Sequence, residues 1–153
     1  FFHGAFDSSG VDEWTVEANP GLFPVDLARL LRAGGVTRIS LGAQSFDDAR
    51  LSALGRIHSA AEARAAAETA HRCGFPHLSL DLMYGLPETG VAEALEDAAR
   101  AIELGPDHLS CYALEPEDGT PFRERGVEVD GGAQRDAYEA LRPALAAAGS
   151  GPY

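Results

Sequence analysis

The sequence predicts an α/β protein, an arc of a (β/α) barrel that holds only about four strand–helix units in its 153 residues. A strand pattern recurs every 30 to 40 residues or so, and a helical pattern of apolar residues fills each interval. Intervals of about that length suit parallel strands joined by right-handed helical crossovers. Because the units carry no glycine fingerprint of a dinucleotide-binding sheet, we favour a barrel arc over an open doubly wound sheet.

Four segments carry the strand pattern. The first reads "DEWTVEANPG" (12–21), and each later one begins with a Gly that suits the end of a helix: "GGVTRISLGAQS" (34–45), "GFPHLSLDLMYG" (74–85) and "GPDHLSCYALEP" (105–116). These segments predict parallel strands near 13–18, 38–43, 77–84 and 108–114.

Helical patterns fill the intervals and are expected to cover one face of the sheet. They are "PVDLARLLRAG" (24–34), "SAAEARAAAETAHRCG" (59–74) and "VAEALEDAARAIELG" (91–105), followed by "AQRDAYEALRPALAAAG" (133–149), which Pro143 interrupts. The acidic run "ALEDAARAIE" (94–103) is interpreted as a solvated helix face, with support from an i, i+4 pair of Glu96 and Arg100.

Alternation along the strands divides their side chains between two faces. One face is apolar and is predicted to lie beneath the helices: Trp14, Val16, Ile39, Leu41, Leu78, Leu80, Leu82, Leu109 and Cys111. The other face is polar, and matching the segments predicts its levels: first Thr15, Ser40, Ser79 and Ser110, then Glu17, Gly42, Asp81 and Tyr112, then Asn19, Gln44, Met83 and Leu114.

Glu17, Gln44 and Asp81 therefore converge at the C-terminal ends of adjacent strands, where barrel enzymes bind their ligands. Two carboxylates and an amide at that edge predict a cavity for a polar ligand. An alternative stays open: Glu17 and Asp81 could cap loops or pair with Arg38 or Arg56, because buried acids are often structural.

Composition limits the partners. The net charge of −12 argues against a nucleic-acid-binding surface, which needs clustered Lys and Arg. No segment is long and apolar enough to span a bilayer, and no signal peptide opens the chain. Cys73 and Cys111 are too far apart for a CxxC metal site, so we expect a cytoplasmic chain with two buried free thiols.

Four collinear motifs carry a family resemblance: "TVEANP" (15–20), "LGAQSFDDARLSALGRIHSAAEA" (41–63), "LDLMYGLP" (80–87) and "LSCYALEPEDGTPF" (109–122). Together they resemble the radical S-adenosylmethionine (SAM) enzymes of the oxygen-independent coproporphyrinogen III oxidase family, over a span from about residue 13 to Tyr153. The "QSFDD", "LGRIH" and "YALEPEDGTPF" stretches resemble its HemW-type haem chaperone branch. The resemblance implies a radical SAM core, a partial TIM-like barrel.

The same resemblance implies four cofactor-binding residues. Glu17 matches the acidic residue that contacts SAM, Gln44 and Arg56 match a polar pair of the nucleotide site, and Asp81 matches a carboxylate there. Leu114 or Glu115 matches a backbone contact of the family after the last strand. All are binding groups, so no catalytic residue is expected in this chain.

Two features of the family are missing from the sequence. The family holds a [4Fe–4S] cluster on a CxxxCxxC loop, which this chain does not contain, so no metal ligands are expected in it. The Gly-Gly-Thr-Pro segment is not matched by "FFHGAFDSSG" either. With no initiator Met, residues 1–153 are interpreted as a single fragment of the partial barrel, without the N-terminal cluster-binding unit and the C-terminal domain.

The resemblance implies that this chain contributes part of the SAM pocket in a protein that acts in porphyrin metabolism or in haem transfer. The partner implied is haem or a porphyrin. The resemblance leaves open whether the intact protein is a porphyrinogen oxidase or a haem chaperone without turnover; the fragment itself is expected to be inactive. An unrelated barrel enzyme that binds a phosphate or a sugar is the alternative. Because an arc has open edges, marginal stability or self-association is also expected.

Overall fold

The computed structural model describes residues 10–116, 121–124 and 126–150. These residues form, in chain order, β1 (Thr15–Ala18), a 3₁₀ turn (Pro20–Leu22), α1 (Val25–Ala33), β2 (Arg38–Gln44), α2 (Asp48–Ala53), α3 (Ala60–Arg72), β3 (His77–Tyr84), α4 (Val91–Ile102), β4 (His108–Ala113), α5 (Pro121–Glu124) and α6 (Gly131–Ala147). Most of "FFHGAFDSSG", residues 117–120 of the last motif, and Tyr153 lie outside the described residues.

The sheet is parallel and its strands follow one another in chain order, β1-β2-β3-β4. This confirms the predicted α/β class and all four predicted strands. A barrel arc requires such a sheet, because each crossover leads to the adjacent strand and always in the same direction. A doubly wound sheet would reverse its order at a switch point.

The helices begin and end where their terminal residues predict. Ser59 caps α3 in a reciprocal capping box with Glu62, and the next strand is reached through Gly74, whose φ is +73°. Gly105 does the same after α4, with a φ of +63°. Pro143 does not end α6, which continues through it to Ala147. The short α2, inside the "QSFDDARLSALGRIH" motif, was not predicted from the sequence.

The core lies between the apolar face of the sheet and the helices. Ile39, Leu41, Leu78 and Leu80 are at most 2% exposed, and they pack against helix residues that are mostly alanine: Ala28, Ala63, Ala66, Ala67, Ala70, Ala94, Ala98, Ala101 and Ala137. Small side chains let the helices approach the sheet closely and pack against it without gaps. Burial of each Leu or Ile side chain stabilises the fold by about 1.5–3 kcal/mol. The predicted apolar face is thereby confirmed.

Cys73 and Cys111 are free thiols, as predicted, but both are only half-buried at the margin of this core. Both were expected to be buried. Cys111 lies on β4, where few described residues cover the outer strand.

The predicted levels on the polar face are correct for Ser40 and Ser79, which pair across β2 and β3, but they are wrong by one step on β1 and β4. Ser40 pairs with Glu17 rather than with Thr15, and Asp81 pairs with Ser110 rather than with Tyr112. Neighbouring strands of a barrel are staggered, and a stagger of two residues preserves the face while it changes the level. An irregularity between Leu41 and Gln44 adds a further offset within β2.

Within the described ranges, the helices are too short or too polar to cross a lipid bilayer.

A candidate ligand cavity at the C-terminal ends of the strands

An open cavity of about 350 Å³ lies on the polar face of the sheet, at the C-terminal ends of its strands. The structure brings together all four residues selected from the sequence, which share the lining with five others: Glu17, Ala18, Asn19, Ser40, Gly42, Gln44, Arg56, Asp81 and Tyr112. The strands supply most of these residues, while Arg56 reaches the cavity from the loop between α2 and α3. Charged and amide groups thus dominate the walls.

Asp81 lies on β3 and faces β2. Its Oδ1 accepts a hydrogen bond of 3.4 Å from Ser40 Oγ. Among the described residues, Asp81 forms no ion pair with Arg56, so the alternative of such a pairing is wrong. Burial raises the pKa of Asp81 above its ordinary value. The hydrogen bond from Ser40 opposes that rise, the charge of Glu17 adds to it, and His108 and Arg56 reduce it. The carboxylate is therefore incompletely stabilised by the protein.

Glu17 and Arg56 complete the charged part of the cavity wall. Within the described part of the chain, neither side chain makes a hydrogen bond or an ion pair. Arg38, the other basic residue considered as a partner for the acids, instead binds Glu13 at 2.8 Å, away from the cavity. Two acids and one guanidinium therefore face the cavity with bonding capacity to spare.

Gln44 ends β2 in a strained conformation. Its φ is +66°, and Ser45 N donates to Ala43 O at 2.8 Å, which closes a three-residue γ-turn around it. Such a conformation in a non-glycine residue costs about 1–3 kcal/mol and persists only where the surroundings enforce it. Gln44 is 4% exposed, and its Oε1 accepts a 2.6 Å hydrogen bond from the hydroxyl of Tyr112 on β4.

A buried acid on α4 holds the chain that follows this turn. Asp97 is 4% exposed and accepts hydrogen bonds of 2.7 Å from both Ser45 Oγ and Phe46 N, while Arg50 binds it at 3.2 Å. The interpretation of the acidic run as a solvated face holds for Glu96, which binds Arg100 at 2.6 Å, but it is wrong for Asp97. One signal was available: Asp97 shares helical spacing with Ala94, Ala98 and Ala101, the buried face of α4.

His58 supports the turn from a second side. It is 3% exposed, and its Nε2 bonds to Ala43 O at 3.1 Å, the carbonyl that also closes the γ-turn. A methyl group placed on Gly21 would come within 3.3 Å of His58 Cβ, so the Gly of "VEANPG" allows His58 to approach this closely. His58 thus fixes the loop that carries Arg56 to the cavity.

Comparison with known proteins identifies the fold. A family model described as the radical SAM superfamily matches residues 6–102, a span that includes Glu17, Gln44, Arg56 and Asp81. The chain belongs to the radical SAM superfamily. Membership rules out the alternative of an unrelated barrel that binds a phosphate or a sugar.

Individual radical SAM relatives refine the comparison. The chain is 45% identical to the haem chaperone HemW of Escherichia coli and 43% identical to that of Haemophilus influenzae, each over 142 residues and 92% of this chain. It spans 38% and 37% of the lengths of those two proteins. The structure of E. coli coproporphyrinogen III oxidase (HemN), a radical SAM enzyme, superposes with a TM-score of 0.79 at 25% identity, over 90% of this chain and 32% of HemN. The resemblance drawn from the motifs is confirmed.

The two radical SAM cofactors fit this chain differently. The cavity suits SAM, because its acids and guanidinium complement a ligand that carries both cationic and anionic groups. An iron–sulfur cluster is not matched: the described residues contain no group of three or more His, Cys, Asp or Glu placed to hold a metal. Burial, with a smaller effect from Asp81, raises the pKa of Cys111 to about 11, which disfavours the thiolate that clusters require.

Proposed function

We propose that this chain forms part of the SAM pocket of a HemW-like radical SAM protein. One observation carries the proposal: Glu17, Gln44, Arg56 and Asp81, which the motifs match to the family's nucleotide contacts, line a single cavity. They come from three strands and a loop, so their meeting is a property of the fold. Residues 1–153 would then be one part of a larger partial barrel.

The lining residues suggest how the ligand is held. Glu17 and Asp81 accept hydrogen bonds, which suits ribose hydroxyls and the ammonium of the methionine moiety, and the Arg56 guanidinium suits the methionine carboxylate. When bound beside a reduced iron–sulfur cluster, SAM supplies radical chemistry. This chain's residues would bind and orient the nucleotide and would not transfer a proton, so its role is in binding rather than in catalysis.

We further propose that the intact protein handles haem rather than oxidising a porphyrinogen. The similarity to HemW, at 43–45% identity, supports haem transfer more strongly than the 36% identity to the oxygen-independent coproporphyrinogen III oxidase of Bradyrhizobium diazoefficiens supports oxidation. A cytoplasmic location and the absence of nucleic acid among its partners accord with the net charge of −12 and two free thiols. Haem binding, measured by the change in haem absorbance on titration, tests this part directly.

Self-association of the chain belongs to the same proposal. The sheet ends at β1 on one side and at β4 on the other within the described residues, and unpaired strand edges favour association. Sedimentation of the isolated chain over a range of concentrations tests it, and a monomer at every concentration would contradict it.

Calorimetric titration of SAM into the intact protein with its cluster tests the pocket. Glu17→Gln removes a charge from the cavity wall and is expected to weaken binding about 5- to 100-fold. Glu68→Gln is the matched control, because Glu68 lies exposed on α3, away from the cavity. Equal weakening by both variants, or no binding by the wild type, would overturn the proposal.

A further inference from the structure

Tyr112 lines the ligand cavity, but neither the motifs nor the comparisons give it a role. It lies on β4, whereas its hydrogen-bond partner Gln44 lies on β2, two strands away. The phenol spans β3 to reach that partner, and its hydroxyl donates to Gln44 Oε1 at 2.6 Å. A hydrogen bond this short, across an intervening strand, constrains both side chains.

The bond determines which end of the Gln44 amide faces which way. The carbonyl oxygen only accepts and the amide nitrogen only donates, so a donor at Oε1 commits Nε2 to the other side. On that side lies Gly42, also in the cavity wall, where an added methyl group would come within 3.0 Å of Nε2. Among the described residues Nε2 finds no acceptor, so its two N–H bonds remain available.

Tyr112 stays a donor across the neutral pH range. Burial raises the pKa of its phenol above the ordinary value, the charge of Asp81 acts in the same direction, and the hydrogen bond to Gln44 together with Arg56 reduces the effect. The phenol is therefore protonated near neutral pH, and its O–H remains available for the hydrogen bond that it donates to Gln44 Oε1.

We infer that Tyr112 is a positioning residue that makes Gln44 a hydrogen-bond donor toward the cavity. The ligand group next to Gln44 is then an acceptor, such as a purine nitrogen, a ribose oxygen or a carboxylate. This inference rests on the proposed SAM pocket and assigns a polarity to one of its walls. With Glu17 and Asp81 as acceptors, the cavity would present acceptors from β1 and β3 and donors from Gln44 and Arg56.

A double-mutant cycle tests whether Tyr112 acts through Gln44. In the intact protein with its cluster, Tyr112→Phe is expected to weaken SAM binding about five- to tenfold, since the amide is then able to rotate. In a Gln44→Ala background the same change should have no further effect, because no amide remains to be oriented. Tyr138→Phe, on the half-exposed Tyr138 of α6, is the control and should leave affinity unchanged. Equal losses from Tyr112→Phe in both backgrounds, or no loss in either, would overturn the inference.

A second measurement needs no ligand. The Gln44 side-chain N–H₂ signals, identified by their disappearance in Gln44→Ala, should shift or broaden in Tyr112→Phe and stay in place in Tyr138→Phe. If the wild type fails to bind SAM while these signals change in Tyr112→Phe, the proposed SAM pocket is wrong, whereas the orienting role of the Tyr112 hydrogen bond is supported. Signals that do not respond to Tyr112→Phe would overturn the inference whether or not SAM binds.

Discussion

Asp97, on helix α4, accepts a 2.7 Å hydrogen bond from the backbone N–H of Phe46, two residues beyond Gln44. The helix packs on the apolar face of the sheet, whereas the Gln44 side chain lines the cavity on the polar face. One carboxylate therefore links the helical layer to the end of β2. Together with His58 on Ala43 O, it holds the γ-turn whose positive φ would otherwise relax.

We predict that Asp97→Asn lowers the free energy of unfolding by about 1–3 kcal/mol, since it weakens the charge-assisted bonds to Ser45 and Phe46 and leaves Arg50 without its buried counter-ion. Urea unfolding followed by circular dichroism measures the change. Glu96→Gln, one residue earlier and half-exposed, should cost less than about 1 kcal/mol. Indistinguishable midpoints for the two variants would show that Asp97 is not the anchor.

The faces of the sheet could be predicted from the sequence because alternation is local. Ile39, Leu41, Leu78 and Leu80 are apolar at every second position, and no distant contact is needed to assign them to the core. The cavity followed from the same alternation, since Glu17 and Asp81 occupy the opposite positions near the strand ends. The family's motifs, an independent line of inference, selected the same acids.

Apart from the pairing of Ser40 with Ser79, the levels could not be predicted, because stagger depends on how neighbouring strands pair. Matching the segments letter by letter placed Tyr112 level with Asp81, whereas the structure pairs Tyr112 with Met83. The irregularity between Leu41 and Gln44 shifts the end of β2 once more. The bond between Tyr112 and Gln44 arises from both offsets, so it could not be predicted from the sequence.

Asp97 was missed for another reason. A charged residue on a helix normally indicates a solvent-exposed position, and only the spacing of Asp97 with buried alanines indicated that it is buried.

Reconstitution with iron is expected to fail on this chain alone. It contains two cysteines, Cys73 just after α3 and Cys111 on β4, and burial raises the pKa of the Cys111 thiol to about 11. A four-iron cluster needs several thiolates at one place. After incubation with ferrous iron and sulfide and removal of the excess, iron analysis and visible absorbance should show no stoichiometric cluster. A stable cluster with four irons per chain would contradict the conclusion that the residues of this chain do not hold an iron–sulfur cluster.

The pH dependence of the free energy of unfolding should show the raised pKa of Asp81. The pKa of Asp81 is raised in the folded state above its ordinary value of 3.8, so folding favours the protonated carboxyl. The stability that the protonated carboxyl contributes is therefore present at low pH and is lost as pH rises through the pKa of the folded state. Asp81→Asn removes that loss. The variant should therefore gain stability relative to the wild type between pH 3 and pH 7, in thermal melts compared pH by pH. A wild type that gains relative to the variant over this range would indicate a stabilised carboxylate instead.

Asp81 also provides the sharpest test of the pocket. We predict that Asp81→Asn in the intact, cluster-bearing protein weakens SAM binding by about 1–3 kcal/mol, the scale of a lost charge-assisted hydrogen bond. The amide keeps the shape of the carboxylate, and Ser40 Oγ can still donate to its oxygen, so the fold at neutral pH should be retained. Calorimetric titration measures the affinity. Asp107→Asn is the control, because Asp107 precedes β4 and caps Leu78 N at the opposite end of the strands from the cavity. If Asp81→Asn binds SAM as tightly as the wild type does, Asp81 is a structural acid, and the ligand is held by the remaining cavity residues alone.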